Sequence, residues 1–503
     1  MIVGRTKETA ELLDAFESLR AEFIVLYGRR RIGKTFLIEE LYGKEENTYF
    51  LHATGIRKGT MAEQLKTFAQ SLSKAFYNGI ALAAQSSWLD MLNEVHKTIQ
   101  QADPKKKIVL FLDELPWLCT DKSRLLEAMD YYWNRYWKND ARIKLVICGS
   151  SASWMIRKII NHKGGLHNRQ TRQIILKPFT LSETRDFLEA SSIYLSPEQI
   201  VQMYLFCGGV PYYLSYIQKG KSAAQMMDQL CFNASGILYG EFDKLFDALF
   251  DDAEIYKNLI RIISSKREGL SIREIEEENE GISKGGTLSQ QLKALEEASF
   301  IKSFTPLGHQ RQGTYYRVID EYCYFYLRWI EPARKTLSLD QEDPEYWSSK
   351  VGTPEYYQWL GYGFEAICYK HIGEIRRALE IKPGAMIGAW RYAPRKNKEN
   401  KENKEERGAQ IDLIFDRPDG LITLCEIKYT DAPFEIDKAY FEALERKKAV
   451  YKKQTRSNKH LHWALISAHG LKKNAYSEML IDQVVLLEQL FPANKKVKIK
   501  NKK

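Results

Sequence analysis

Among the seven cysteines of this chain there is no C-x-x-C pair, which excludes a redox dithiol or a zinc site built on that spacing. Cys119, Cys148, Cys207, Cys231, Cys323, Cys368 and Cys425 are scattered, several inside apolar runs where a small hydrophobe suffices. That usage fits a reducing cytoplasm. No apolar run reaches the ~20 residues that a membrane-spanning helix needs, and Met1 to Glu8 holds no hydrophobic core of signal-peptide length. A soluble cytoplasmic protein without a membrane partner is therefore expected. No internal repeat is visible, which sets repeat architectures aside. The charge excess is small as well, +10 over 503 residues, and part of it sits in the basic tail 493–503. Such a balance permits a nucleic-acid partner without demonstrating one.

What is present is bulk and pattern. Single cores stop growing near roughly 250 to 300 residues, so 503 residues imply two to four domains. At 44% hydrophobic and 12% aromatic, the chain can pack them. The apolar run Phe23-Ile24-Val25-Leu26-Tyr27 ends at Gly28 and reads as a buried parallel strand entering a glycine turn, with a helix starting at Lys34. Similar strands are expected at 48–53, 108–112 and 145–148, with helices such as 61–76 and 123–137 between them, hence a parallel α/β sheet. We expect an ATPase core over 1–178, a helical subdomain over 179–252, and a winged helix over 253–330. A linker over 331–358, an α/β domain over 359–492 and the tail 493–503 complete the expected division. The Lys/Glu/Asn-rich stretch 395–407 reads as a flexible insert.

Gly28-Arg29-Arg30-Arg31-Ile32-Gly33-Lys34-Thr35 satisfies G-x-x-x-x-G-K-[ST] between a strand and a helix, the context that gives the motif meaning. Loop amides and the helix N-terminus would cradle phosphates, Lys34 would reach the β and γ phosphates, and the Thr35 hydroxyl would bind Mg²⁺. Ile32 and Phe36 flank that cradle. The three arginines add positive charge beside a polyphosphate, or else contact a partner domain. The strand 108–112 delivers Asp113 toward the metal and Glu114 toward an attacking water, so hydrolysis of ATP is expected. Strand 48–53 falls between the two motifs in sequence. The next strand ends in Gly149-Ser150-Ser151, offering Ser150 to the terminal phosphate.

Val3-Gly4-Arg5, the glycine loop, Leu112-Asp113-Glu114 and Gly149-Ser150-Ser151 together resemble the archaeal-type ATPases, relatives of the origin-recognition and signalling-switch ATPases of the AAA-like group. The resemblance runs on through Tyr316-Arg317-Val318-Ile319-Asp320 and the aromatic stretch 322–329. It implies that Gly4 and Arg5 lie near the adenine and that Gly209 and Pro211 sense the nucleotide. It also implies an arginine finger at Arg169, acting in cis or on a neighbouring subunit, although Leu166-His167-Asn168 departs from the family's usual Leu-Tyr-Gly.

Between 255 and 318, three short amphipathic helices precede two strand-like pieces, 300–304 and 314–318, joined by a turn bearing Gly308, His309 and Arg311. This is the layout of a winged helix-turn-helix. Leu288, Leu292 and Leu295 form one face of the helix 286–298, as core; Ser289, Gln290, Gln291 and Lys293 form the other, compatible with a DNA groove. Glu296 and Glu297 weaken that reading, and protein docking or a hinge role stays open.

In the last segment Asp412 lies on strand 411–415, and Glu426 and Lys428 alternate on strand 421–428 across the turn Asp416 to Gly420. Two carboxylates on one face beside apolar neighbours need compensation, which a second Mg²⁺ or Mn²⁺ and Lys428 would supply; Glu365, in the preceding helix, could complete the site. The arrangement resembles the PD-(D/E)xK nuclease superfamily, with Asp412, Glu426 and Lys428 on its motif positions and Glu365 on its helical acid. The whole then reads as an ATPase coupled to a nuclease-like module acting on DNA, or as a regulatory scaffold whose nuclease-like domain is silent. Partners would be ATP, nucleic acid, and a second copy or another protein.

Overall fold

In the computed structural model the described residues are 2–83, 85–161, 169–266, 269–278, 283–305, 313–336, 345–392 and 408–493. The insert at 395–407, the turn with Gly308, His309 and Arg311, the triplet Leu166-His167-Asn168 and the tail beyond Ala493 lie outside them.

Five parallel strands form the first sheet: β1 (Glu22–Tyr27), β2 (Thr48–Thr54), β3 (Lys107–Asp113), β4 (Ile143–Gly149) and β5 (Arg172–Ile175), in the order β2-β3-β4-β1-β5. Their continuous apolar runs follow from burial on both faces: every residue of β1 and β4 is buried. Helices Met61–Phe76, Trp88–Gln101 and Leu125–Arg135 cover one face, and Thr6–Glu17 with Lys34–Leu41 the other. The strand that separates the two motifs in sequence, β2, lies at the sheet's edge. In space it is β4 that stands between β1 and β3.

The chain then turns helical. Thr180 and Ser196 cap Leu181–Ala190 and Pro197–Cys207, each in a reciprocal capping box. Helices Ala253–Ser264, Ile272–Glu278 and Gly286–Glu297 are followed or interrupted by β6 (Leu270–Ser271), β7 (Ile301–Phe304) and β8 (Tyr315–Val318), an antiparallel sheet of order β6-β8-β7. Leu288, Leu292 and Leu295 are fully buried. Gln291 departs from the expected outward face: it is buried, and its amide donates to Ser283 Oγ at 3.2 Å. This helix packs against Ala152–Met155 of the first sheet's domain.

After helix Pro354–Lys370 come β9 (Met386–Tyr392), β10 (Ala409–Asp416), β11 (Leu421–Lys428), helix Lys438–Thr455, β12 (His460–Ser467) and β13 (Ile481–Leu486). They form a mixed sheet of order β13-β12-β11-β10-β9, antiparallel from β9 to β11 and parallel from β11 to β13. Part of the expected linker is packed structure. Trp347 is 1% exposed among Phe232, Trp329 and Trp359, its amide donates to Asp228 Oδ1 at 2.5 Å, and the helix already begins at Pro354. Among the described residues one core gathers side chains between Phe179 and Phe491, joining the helical and three-stranded parts to one face of the mixed sheet, whose other face packs a second core around Trp390 and Trp463. Among the described residues no helix is long and apolar enough to cross a membrane.

Candidate functional site

Gly28 ends β1 with φ 150°, and a Cβ there would lie 2.1 Å from the Leu176 carbonyl oxygen, so only glycine fits between β1 and the segment leaving β5. The loop then feeds helix Lys34–Leu41, and the first amides of any helix have no partner within it. Lys34 is buried, its ammonium donating to the carbonyls of Gly28 and Arg29 at 3.0 Å each. The Thr35 hydroxyl donates to Asp113 Oδ2 at 2.7 Å. Burial works to raise the Asp113 carboxyl, but hydrogen bonds from His52, Thr35 and Cys148 outweigh it and hold the group below its ordinary range. Hydroxyl and carboxylate are thus paired hard-oxygen donors of the kind Mg²⁺ prefers.

Glu114 follows in the left-handed region, φ 48°, and its Oε2 accepts both the amide of Ser150, at 3.0 Å, and its hydroxyl, at 2.9 Å. Ser150, expected beside a terminal phosphate, therefore has both donors on Glu114. His52, which sequence reasoning passed over, stands at the end of β2 with Nε2 3.7 Å from Asp113 and Nδ1 3.2 Å from Glu39, its ring stacked on Phe111. Its signal was register: residues 48–54 pair in parallel with the strand that delivers Asp113.

The loop arginines divide. Arg29 is fully buried and paired with Asp320 just beyond β8, which drives its already high pKa further up against the cost of burial. Arg31 pairs with Glu241 at 2.8 Å and lies over the Tyr212 ring at 4.5 Å. Both side chains thus serve the partner-domain role, while Arg30 is half-buried. Ile32 is buried, and Phe36 is 49% exposed on the loop helix. Arg5 is buried, its guanidinium donating to the carbonyls of Lys177 and, at 3.1 Å, Ile32, above the Phe179 ring. Gly4 precedes it with φ 65° against Glu183. Pro211 opens a short helix whose Tyr212 amide reaches the Arg31 carbonyl at 3.4 Å. Arg169 is exposed in the turn before β5.

In the mixed sheet, Glu426 and Lys428 share a face of β11. Glu426 accepts from Tyr440 at 2.6 Å, Lys447 at 2.8 Å and Lys428 at 2.9 Å; these partners hold it ionised and low against the pull of burial. Asp412 Oδ2 accepts the Ile427 amide at 3.0 Å. Burial first, then the Glu426 charge, pushes Asp412 up to about 6. Glu365 does not join them as a third ligand. It is tied at 3.4 Å to Tyr369, whose hydroxyl donates to the Asp412 carbonyl. Among the described residues no group of three or more His, Cys, Asp and Glu side chains could hold a metal ion. Tyr440 and Lys447 were missed by sequence reasoning; their trace was a seven-residue spacing on one face of the helix after β11.

Residues 2–217 match a family described as an ATPase domain predominantly from Archaea. An uncharacterised protein of Methanocaldococcus jannaschii is 28% identical over 452 residues, covering 89% of this chain and 92% of that protein. Among solved structures, a Walker-type ATPase of Pyrococcus abyssi aligns with a TM-score of 0.47 at 17% identity, over 65% of this chain and 96% of its own. The Aeropyrum pernix ORC2 protein in its ADPNP-ADP complexes aligns with a TM-score of 0.39 at 14% identity, over 67% and 96%.

Proposed function

We propose that this chain hydrolyses Mg-ATP and that the reaction governs a C-terminal, metal-dependent nuclease-like module acting on DNA. The observation that carries the first half is the 2.7 Å bond from Thr35 to Asp113 beside buried Lys34. Thr35 and Asp113 would hold magnesium, which when bound with nucleotide would supply charge neutralisation to the phosphates. Lys34 exchanges loop carbonyls for phosphate oxygens. Glu114 takes a proton from water as the water oxygen bonds the γ phosphorus, while the β–γ bridging bond breaks and its oxygen leaves with ADP. Ser150 orients Glu114 for that task. Arg169, exposed before β5, favours supply to a neighbouring subunit over use in its own site.

Lys34→Ala is expected to abolish nucleotide binding in calorimetry. Glu114→Gln is expected to keep binding and lose at least about a hundredfold in phosphate release, the scale of general-base catalysis. Unchanged turnover in both variants would refute the assignment.

For the second half, the mixed sheet, with Asp412 on one strand and Glu426 and Lys428 on its neighbour, supports the nuclease-like reading; the antiparallel three-strand sheet with its helices supports a winged helix. A silent, regulatory module is favoured by one fact, that both Glu426 oxygens are already taken by two ammonium groups and a phenol. Incubation of full-length protein with Mn²⁺, ATP and single-stranded, duplex or branched DNA separates the two. Cleavage that disappears in Asp412→Ala supports the nuclease; no cleavage of any form supports the switch.

A further inference from the structure

We propose that Tyr369-Lys370-His371, at the end of helix Pro354–Lys370, carries the state of the phosphate loop to the Asp412 carboxylate site, so that nucleotide at one and the conformation of the other are linked. This rests on the reading of the two sites given above.

Two separate struts run from the loop to that triplet. In the first, the Arg29 guanidinium meets Asp320, both side chains 2% exposed; Asp320 Oδ1 also accepts the Cys323 amide at 2.8 Å, capping the next helix. The adjoining residue, Glu321, is buried and accepts from Lys370 at 2.7 Å. In the second, Arg5 grips the Ile32 carbonyl, and its own amide donates to Glu183 Oε1 at 2.8 Å. At the start of the Glu183 helix, the Leu181 amide donates to His371 Nε2 at 3.0 Å, and His371 Nδ1 sits 2.9 Å from the Ile367 carbonyl. Neighbouring residues of one helix end are thus tied to the two elements that hold the loop. Tyr369, between the Arg317 guanidinium 4.0 Å above its ring and the Asp412 carbonyl, completes the line.

The input is specific. Lys34 now donates to the carbonyls of Gly28 and Arg29, and a polyphosphate that draws the ammonium away releases both. Arg29 cannot stay behind or move alone, because parting it from Asp320 leaves two buried charges uncompensated. The struts also border open space: a cavity of 980 Å³ lined by Arg5, Arg317, Glu321, Glu365, Tyr369 and Lys370 among others. Helix Pro354–Lys370 has room to shift on one side while its other side is held in the common core. A ligand moves an equilibrium only by differential contacts, and the link is reciprocal.

The test is hydrogen exchange on full-length protein, with and without a non-hydrolysable ATP analogue and Mg²⁺, read at the peptides spanning 366–371 and 409–413. The analogue is expected to change exchange at both by about fivefold or more, the lower bound of ordinary allosteric linkage. In Lys370→Gln the change at both peptides is expected to shrink while calorimetry still records nucleotide binding. Tyr369→Phe removes a single hydroxyl and should fold whatever befalls the charge variant. In it the change at 366–371 should persist and that at 409–413 should vanish. Binding heat without any change in the wild-type peptides overturns the relay, as does a response at 409–413 that survives Tyr369→Phe. Absence of binding heat overturns the ATP-site reading instead, and neither outcome depends on DNA cleavage.

Discussion

Asp412 and His371 carry opposite pH signatures. Asp412 is raised from 3.8 to about 6, so in the folded protein its neutral form is favoured. The stability this gives is complete below 3.8 and is lost as pH rises through 6. On the nuclease-like reading proposed above, cation binding needs the carboxylate, so Mn²⁺ affinity of the nucleotide-free protein should climb about tenfold per pH unit below 6 and level off above it. Asp412→Asn should flatten that profile in a calorimetric titration. His371 is lowered from 6.5, burial first, with Ile367, Glu374, Lys370 and Glu183 around it. It must stay neutral to accept from Leu181, so its contribution is present above 6.5 and lost as pH falls below. Because Asp412 works the other way in the same window, the His371 part is read as a difference: between pH 7.5 and 5.5 the urea midpoint of His371→Gln should change in the acid's favour relative to that of the wild type.

At the scale of elements, Gly209 fixes how the helical part leaves the sheet. It has φ 66°, a Cβ there would lie 2.3 Å from the Phe179 carbonyl oxygen, and its own carbonyl accepts the Phe179 amide at 2.7 Å. Gly209→Ala should destabilise the protein by at least about 2 kcal/mol, from the left-handed penalty plus the collision, seen as a lower urea midpoint. Elements with strong local signals were legible. The 61–76 pattern forms a helix over the same residues, and the apolar runs ending at Tyr27, Asp113 and Gly149 are the strands that line the phosphate loop. Alternation of apolar and polar residues was too weak to announce β12, whose second half is buried on both faces between its two parallel neighbours. The pairing of Arg29 with Asp320 left no local trace: nothing near either residue points to the other.

For the whole molecule, the core shared among described residues between 179 and 491 matters more than the number of parts. Because Trp347 lies in a core common to the middle and C-terminal parts, Trp347→Ala should cost about 3–5 kcal/mol. Calorimetry should show those parts still melting in one transition, at a lower temperature, whereas two separate transitions would contradict the common core. The family match ends at residue 217, yet Arg29 inside it is completed by Asp320 outside it. A recombination that joined this front half to an unrelated back half would inherit a buried cation without its counterion. The two halves can therefore be exchanged between lineages only as a matched set, and substitutions at positions 29 and 320 should be found changing together in descendants of this chain.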